Sequence, residues 1–364
     1  MTSKERILAA LHGKPVDHIP FCPFLAYVWE HFPQEIRDAG QLAFHDRIGA
    51  DPLWRGAPCP VKAIPPSGME CKYTESNGRS GMAITTPVGS LHQSWARSEI
   101  GNTSFLIEHP LKTEKDYKVQ VWIEENTTLS YDLAPVNSHF DGEGTAGLSL
   151  GMLIPRGKSA FQTLIEHLAG TEELVFALAD FPDAVVSLWR AMVEKDIEAV
   201  RLAAQSPYSH FITWEDSSTQ NYSPTQYDTY IGSEIGEWCR ILSDHGKYYT
   251  QHACGHLAAL IARMKAHGVY AVESISPPPT GNITIRDARR VMGSSMAIIG
   301  GIEPTQFLRL SEADLKPYVQ SVIDEAAGGP FVLANSDSCP PGVTLSKFEL
   351  VADIARRTGP CLSR

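Results

Sequence analysis

From about residue 147 onward, short apolar, β-rich runs alternate with longer amphipathic stretches, the pattern of repeated strand–helix units around a parallel sheet. Strands are predicted over 147–154, 209–215, 247–254, 270–276, 296–302 and 330–335. Between them, apolar positions recur at helical spacing over 159–168, 172–204, 224–245, 256–267, 284–292, 311–327 and 344–357. Ser311 and Thr344 stand where a helix start places a capping hydroxyl. A strand near 18–26 and one more within 40–58 bring the count to the eight that close a (β/α)8 barrel. The expected fold is therefore α/β, a (β/α)8 TIM barrel. An open doubly wound sheet is the alternative, but it would usually carry a dinucleotide or phosphate loop near its first strand.

The segment 60–135 breaks this rhythm with turn clusters such as Ser76-Asn77-Gly78-Arg79 and the phrase TTPVGSL. It predicts an antiparallel hairpin inserted into the barrel as a lid or flank. No fixed-period repeat or low-complexity linker interrupts the chain, so residues 1–364 are expected to form one domain. The opening 20 residues read as a short amphipathic helix followed by a strand, without the apolar stretch and cleavage site of a signal peptide, and a cytoplasmic protein is expected. No apolar run reaches the length of about 18 residues that a membrane-spanning helix needs.

Composition narrows the function classes. Hydrophobic residues make 43% of the 364 and charged residues 20%, values of a globular protein with a sizeable core. Lys and Arg number 31 against 42 Asp and Glu, a formal net charge of −11, which argues against a nucleic-acid or anionic-membrane binder. The seven cysteines are odd in number and widely spread, unlike a disulfide framework. Several motifs match by letter only. Gly142 to Gly147 spells G-x-G-x-x-G ahead of a strand instead of between strand and helix. Gly151 to Ser159 has five residues where a phosphate loop has four. Gly147-Leu-Ser149-Leu-Gly151 runs on into β-like residues where a nucleophile elbow needs a sharp turn.

The run YYTQHACGH, ending at His256, carries more chemistry. Residues two apart on a strand share a face, so His252 and Cys254 project together from a strand end. Imidazole with thiolate favours Zn2+ over hard cations. Glu273 at the end of the next strand and Cys339 after the last fall at the same C-terminal face, where barrel enzymes carry their sites. Spacing alone leaves ordinary packing open as well, because buried cysteines often serve as small hydrophobes. His256 reads as a helix-start residue, and Cys22, Cys59, Cys71, Cys239 and Cys361 as structural.

A second group, Trp214-Glu215-Asp216-Ser217-Ser218, also closes a strand. Trp214 offers an apolar wall, and Glu215 or Asp216 a group to accept a proton or orient a substrate. Packing of Trp214 under a loop begun by Asp216 is the competing reading. Tyr27, Trp29 and Tyr222 are possible aromatic lining or core, and Asn335 and Asp337 stand beside Cys339 as hydrogen-bonding neighbours of a ligand.

The opening SKERILAALHGKPVDHIPFCP, the phrase TPVGSL, the WEDSS segment with Tyr222, the run HGKYYTQHACGHLAALI, GGIEP and ANSDSCPPG together resemble the uroporphyrinogen decarboxylase superfamily over nearly the whole chain. The resemblance implies a (β/α)8 barrel. True uroporphyrinogen decarboxylases carry an arginine-rich N-terminal phrase and a late histidine loop, whereas this chain has FLAYVWEHFP and Cys339. The His252-x-Cys254 pair with a distant Cys339 is similar instead to the zinc-dependent methyltransferase branch, which moves methyl groups between a corrinoid protein and a thiol or methylated substrate. The resemblance implies His252, Cys254 and Cys339 as ligands, with Glu273 as a fourth, displaceable one. None of the 13 histidines has Asp two positions before it, so a corrinoid (cobalamin) is expected on a separate partner protein. The reading is a zinc-dependent methyltransferase with Asp216 and Glu273 as catalytic groups and a small methylated, methoxylated aromatic or thiol substrate. Its rivals are a metal-free decarboxylase of a non-porphyrin substrate, with Asp216 as the polar group, and a non-catalytic barrel with a closed metal site. A homodimer is the commonest oligomer and the default expectation.

Overall fold

The computed structural model describes residues 1–76, 78–98 and 103–358. Among the described residues, thirteen strands follow in chain order. After β1 (Leu53–Ala57) come β2 (Val61–Ile64), β3 (Glu70–Ser76), β4 (Arg79–Thr86), β5 (Gly89–Arg97), β6 (Ser104–Glu108) and β7 (Thr128–Tyr131). The series resumes with β8 (Leu148–Met152), β9 (His210–Thr213), β10 (Tyr248–His252), β11 (Ala271–Ile275), β12 (Ala297–Ile302) and β13 (Phe331–Asn335). β1 and β8 to β13 form one parallel sheet of seven strands, in the order β1-β8-β9-β10-β11-β12-β13.

The six strands predicted from residue 147 onward all form, and the one expected within 40–58 is β1. The run at 18–26 is the exception. It is reduced to a bridge between Phe21 and Leu333, with Cys22 N donating to Leu333 O (2.8 Å) and Leu333 N to Pro20 O (3.0 Å). Pro20 and Pro23 lack the N–H groups that a longer ladder would use. Phe21 O also accepts from Asp51 N (2.8 Å), just ahead of β1, so this short segment touches both edges of the sheet.

Inward-facing side chains fill the concave side: Leu53, Leu150, Ile212, Ala271, Ile299 and Val332 form one apolar cluster with Ile7 and Leu11 of the first helix, Ser3–Leu11. That helix plugs the end where the strands begin. Tyr270, at the entrance to β11, donates its hydroxyl to Leu11 O (2.7 Å), and Arg6 is clamped by Asp17 (2.6 Å) and the buried Asp51 (2.5 Å). Each fully buried aliphatic side chain here stabilises the fold by about 1.5–3 kcal/mol.

The helices are shorter than their patterns suggested. The run over 172–204 breaks into Thr171–Asp180 and Pro182–Ala203, because Pro182 cannot continue a helix from behind but starts one readily. Of 256–267 only Ile261–Ala266 is α-helical. Ser311 caps its helix by accepting from Asp314 N (3.2 Å), whereas Thr344 stands at a helix start without that bond.

The insertion is larger than a hairpin. β3 to β6 form a four-stranded antiparallel sheet, β2 pairs with β7, and the helix Glu114–Asn126 stands between β6 and β7 in the chain. Ile84 and Leu91 bury against the same core as Tyr117 and Val119, while β3 is exposed along its length, Cys71 included. Asn77 of the predicted turn and Cys361 lie outside the described residues. The letter-only motifs resolve as loop or strand: Ser149 is buried in β8, 2.8 Å from His139 Nε2, and Glu143–Thr145 is a short 3-10 turn. Among the described residues no helix is long and apolar enough to cross a membrane.

Candidate functional site

The upper ends of β9 and β10 bring together three donors. His252 Nε2 lies 3.1 Å from Asp216 Oδ1, and Cys254 Sγ lies 3.5 Å from the same oxygen. All three groups can offer ligand atoms within 4.8 Å of one another. Two loops create this meeting. Gly255 packs so tightly on Ser217 and Ser218 that a Cβ would sit 2.4 Å from Ser218 Cβ, and His256 N donates to Ser218 Oγ (3.1 Å). Asp216 adopts a left-handed φ of 44° at the turn. Tyr27, Ser274 and Asp337 are the other non-glycine residues with positive φ among those described; Ser274 touches Glu273 and Asp337 approaches His252. Such conformations cost of order 1–3 kcal/mol each and gather where the surroundings enforce a functional geometry.

The surrounding groups set the charge state of each donor. Burial opposes a charge on His252, yet Glu273 and the bonds to Asp216, Cys254 and Glu273 together hold its pKa well above the usual imidazole value. Burial would raise Asp216, but His252 and Lys158 outweigh it and hold the carboxyl far below its ordinary range. Lys158 ion-pairs with Asp216 and with Glu166 (2.7 Å), and its Nζ donates to Trp214 O (2.5 Å). Burial pushes the Cys254 thiol up to about 11, against the pull of His252.

The other expected residues divide. Glu273 faces the opposite ring nitrogen: its Oε2 accepts from His252 Nδ1 (2.5 Å) and its Oε1 from Arg55 Nε (2.7 Å), so it is not among the three converging donors. Burial alone would raise its pKa, but Arg55 and His252 bring it down to about 2. Cys339 also stands outside the donor group. It is wholly buried in the apolar core and forms a backbone bridge with Tyr27. Asp337 is nearer, with Oδ1 4.0 Å from His252 Nε2.

Trp214 forms a wall, its ring centre 5.1 Å from that of His252 and stacked on Phe24 at 5.9 Å. It rests over Gly56 (φ 67°), where any Cβ would come within 2.9 Å of the indole. Asn335 is buried and pins the neighbouring strap, exchanging two 2.9 Å bonds with the Phe24 backbone. Glu215 is not at the opening: fully buried, it accepts from Ser159 N (2.8 Å), Ser159 Oγ (2.7 Å) and Thr213 Oγ1 (2.8 Å), and burial raises its pKa to about 7. Tyr222 is buried beside Tyr227, while Tyr27 is 57% exposed at the rim. Arg55, Lys158 and Phe24 escaped the sequence reading. Lys158 follows a strand end, the one signal that could have drawn attention to it.

Comparison with known proteins agrees with this architecture. The uroporphyrinogen decarboxylase family profile matches residues 162–358, the stretch that contains β9 to β13 and the three donors. The chain belongs to the uroporphyrinogen decarboxylase family. A methyltransferase from Methanosarcina mazei shares its fold, with a TM-score of 0.61, 13% identity and 98% of each chain covered. A B12-independent methionine synthase from Shewanella sp. W3-18-1 aligns over 93% of this chain and 97% of its own, at 8% identity and a TM-score of 0.48. No curated protein matches the sequence.

Proposed function

We propose that this protein is a cytoplasmic, zinc-dependent methyltransferase that moves a methyl group between a small methylated substrate or thiol and a corrinoid carried by a separate protein. The sheet is read as a single-domain (β/α)8 barrel in which residues 20–22 hold the eighth strand position. The observation that carries the proposal is the convergence of His252 Nε2, Cys254 Sγ and Asp216 Oδ1. One nitrogen, one sulfur and one oxygen suit zinc, and three protein ligands leave the open position of a catalytic site. Zinc held there would supply Lewis acidity toward a thiol or an ether oxygen.

The chain's own groups do the rest. Lys158 holds Asp216 from the side away from His252, through the other carboxylate oxygen. Trp214 over His252 gives the methyl-bearing group an apolar surface, and Phe24 braces the indole from behind. Asp337, at the rim with its side chain 36% exposed, can take a proton or bind a polar substituent at the opening.

Metal content of the wild type and of Cys254→Ala, measured by plasma mass spectrometry, tests the reading. Near-stoichiometric zinc that disappears in the variant, followed by demethylation of methylcobalamin with a thiol acceptor, is the expected result. Metal-free turnover with release of carbon dioxide would support the decarboxylase instead.

A further inference from the structure

Glu273 is wholly buried, and both of its oxygens are engaged. Oε1 accepts from Arg55 Nε at 2.7 Å, while Oε2 accepts from His252 Nδ1 at 2.5 Å and from Ser274 Oγ at 2.9 Å. His252 and Glu273 are register partners on β10 and β11, so the strand pairing itself delivers the carboxylate to that ring nitrogen. Arg55 arrives from β1, across the interior of the sheet, with its side chain 2% exposed. A second nitrogen of its guanidinium donates to Cys22 O (3.0 Å), and its Cζ lies 5.1 Å from the centre of the Phe24 ring. The cation is thus fixed by two separate parts of the chain, β11 and the segment 22–24.

We propose that Arg55 and Glu273 are positioning residues: Glu273, held by Arg55, accepts the Nδ1–H hydrogen bond of His252 and thereby commits Nε2 to the metal, without becoming a ligand itself. The inference rests on the metal-binding reading above. An imidazole that binds a cation through one nitrogen must be neutral, and the acceptor at its other nitrogen selects the tautomer. On loading, the proton on Nε2 leaves to solvent and the Nδ1 proton stays on Glu273's side of the ring. For Glu273 to ligate, it would have to give up Nδ1 and Ser274 and draw away from a buried Arg55, leaving that charge uncompensated, which is strongly unfavourable. Arg55 lies on β1, outside the stretch that matches the family profile.

Nitrogen-15-edited NMR of the histidine rings, with and without zinc, tests the clamp. The wild type should show a far-downfield Nδ1 proton for His252 in both states, zinc removing only the proton at Nε2. Glu273→Gln should lose that resonance and bind zinc about 10–100-fold more weakly in a chelator competition, while the visible bands of the cobalt-substituted protein keep their energies. Arg55→Met should weaken zinc comparably, Arg55→Lys less, and the Arg55→Met/Glu273→Gln double variant no more than Glu273→Gln alone, since both act through one carboxylate. If Arg55→Met fails to fold, the wild-type spectra and Glu273→Gln still decide. Loss of the Nδ1 proton when zinc binds, or a shift of the cobalt bands in Glu273→Gln, would make Glu273 a ligand and overturn the proposal. A persistent Nδ1 proton in a protein that takes up no zinc would leave the clamp standing and sink the metal-dependent function.

Discussion

Two histidines on neighbouring strands experience the same burial with opposite results. His210 opens β9 at the plugged end of the sheet, 1% exposed, stacked on Tyr248 at 4.9 Å, and its Nε2 has no hydrogen-bond partner. Burial, with His12 adding to it, depresses its pKa to about 3. His252 closes β10 at the open end, 2% exposed, between the carboxylates of Asp216 and Glu273, and is held charged. Desolvation is common to both, so the counter-charges decide. His210 has only neutral neighbours where β9 begins and His252 sits among carboxylates where β10 ends, and this difference in surroundings locates the chemistry more surely than the histidine itself.

The largest effect should come from removing a donor at the ionic end. In Cys254→Ala, zinc affinity should fall by more than the roughly 10–100-fold that an outer-shell partner is worth, with the unfolding midpoint in urea little changed. Asp216→Asn should weaken zinc less, because an amide oxygen keeps one lone-pair donor but loses the charge; an unaltered affinity would remove Asp216 from the ligand set. In the apolar cluster beneath the site the pattern should invert. Ile212→Ala, in the same strand–loop unit as Asp216, should cost about 2–5 kcal/mol of stability and leave zinc stoichiometry intact.

A smaller effect separates the two histidines by pH. The folded pKa of His210, about 3, lies below the unfolded value of about 6.5. The unfolded chain therefore takes up the proton first, and stability that is complete above pH 6.5 is lost as pH falls toward 3. At about 1.4 kcal/mol per pH unit, the loss between pH 6.5 and 4.5 is roughly 2–3 kcal/mol. His210→Phe should flatten that slope in urea titrations whatever its effect at neutral pH. An unchanged slope would mean that His210 is not the group responsible.

How much of this was legible follows from what each residue depends on. Strand ends can be read from runs of β-rich residues, and through them the positions of His252, Cys254 and Trp214. Glu273 also sits where it was expected, but which ring nitrogen it meets depends on the pairing of β10 with β11, which no periodicity encodes. Asp216 reaches the site through a left-handed turn packed against the opposing Gly255 loop and held by Lys158, contacts far apart in sequence. Arg55 was hidden because β1, LWRGA, is short and carries a charge facing inward, the reverse of the pattern that marks a strand. The insertion, too, was recognised by its turns, but its pairing across two sheets depends on contacts far apart in sequence.

The smallest effect compares two cysteines. Cys339 is as deeply buried as the core around it, and burial drives its thiol far above the ordinary range, Lys347 pulling only weakly the other way. Cys254, by contrast, shares Asp216 with His252. Cys339→Ala should therefore behave as the trimming of a small hydrophobe, costing about 1 kcal/mol and changing zinc affinity by less than about 2-fold, since no ligand is lost. Competition of each variant with a chromophoric chelator measures the contrast directly. If Cys339→Ala emptied the site as Cys254→Ala does, Cys339 would be a ligand, and the loop from Asn335 to Cys339 would have to swing from its bridge with Tyr27 to reach the metal. Retention of zinc in Cys339→Ala, with loss in Cys254→Ala, would instead leave His252, Cys254 and Asp216 as the donor set.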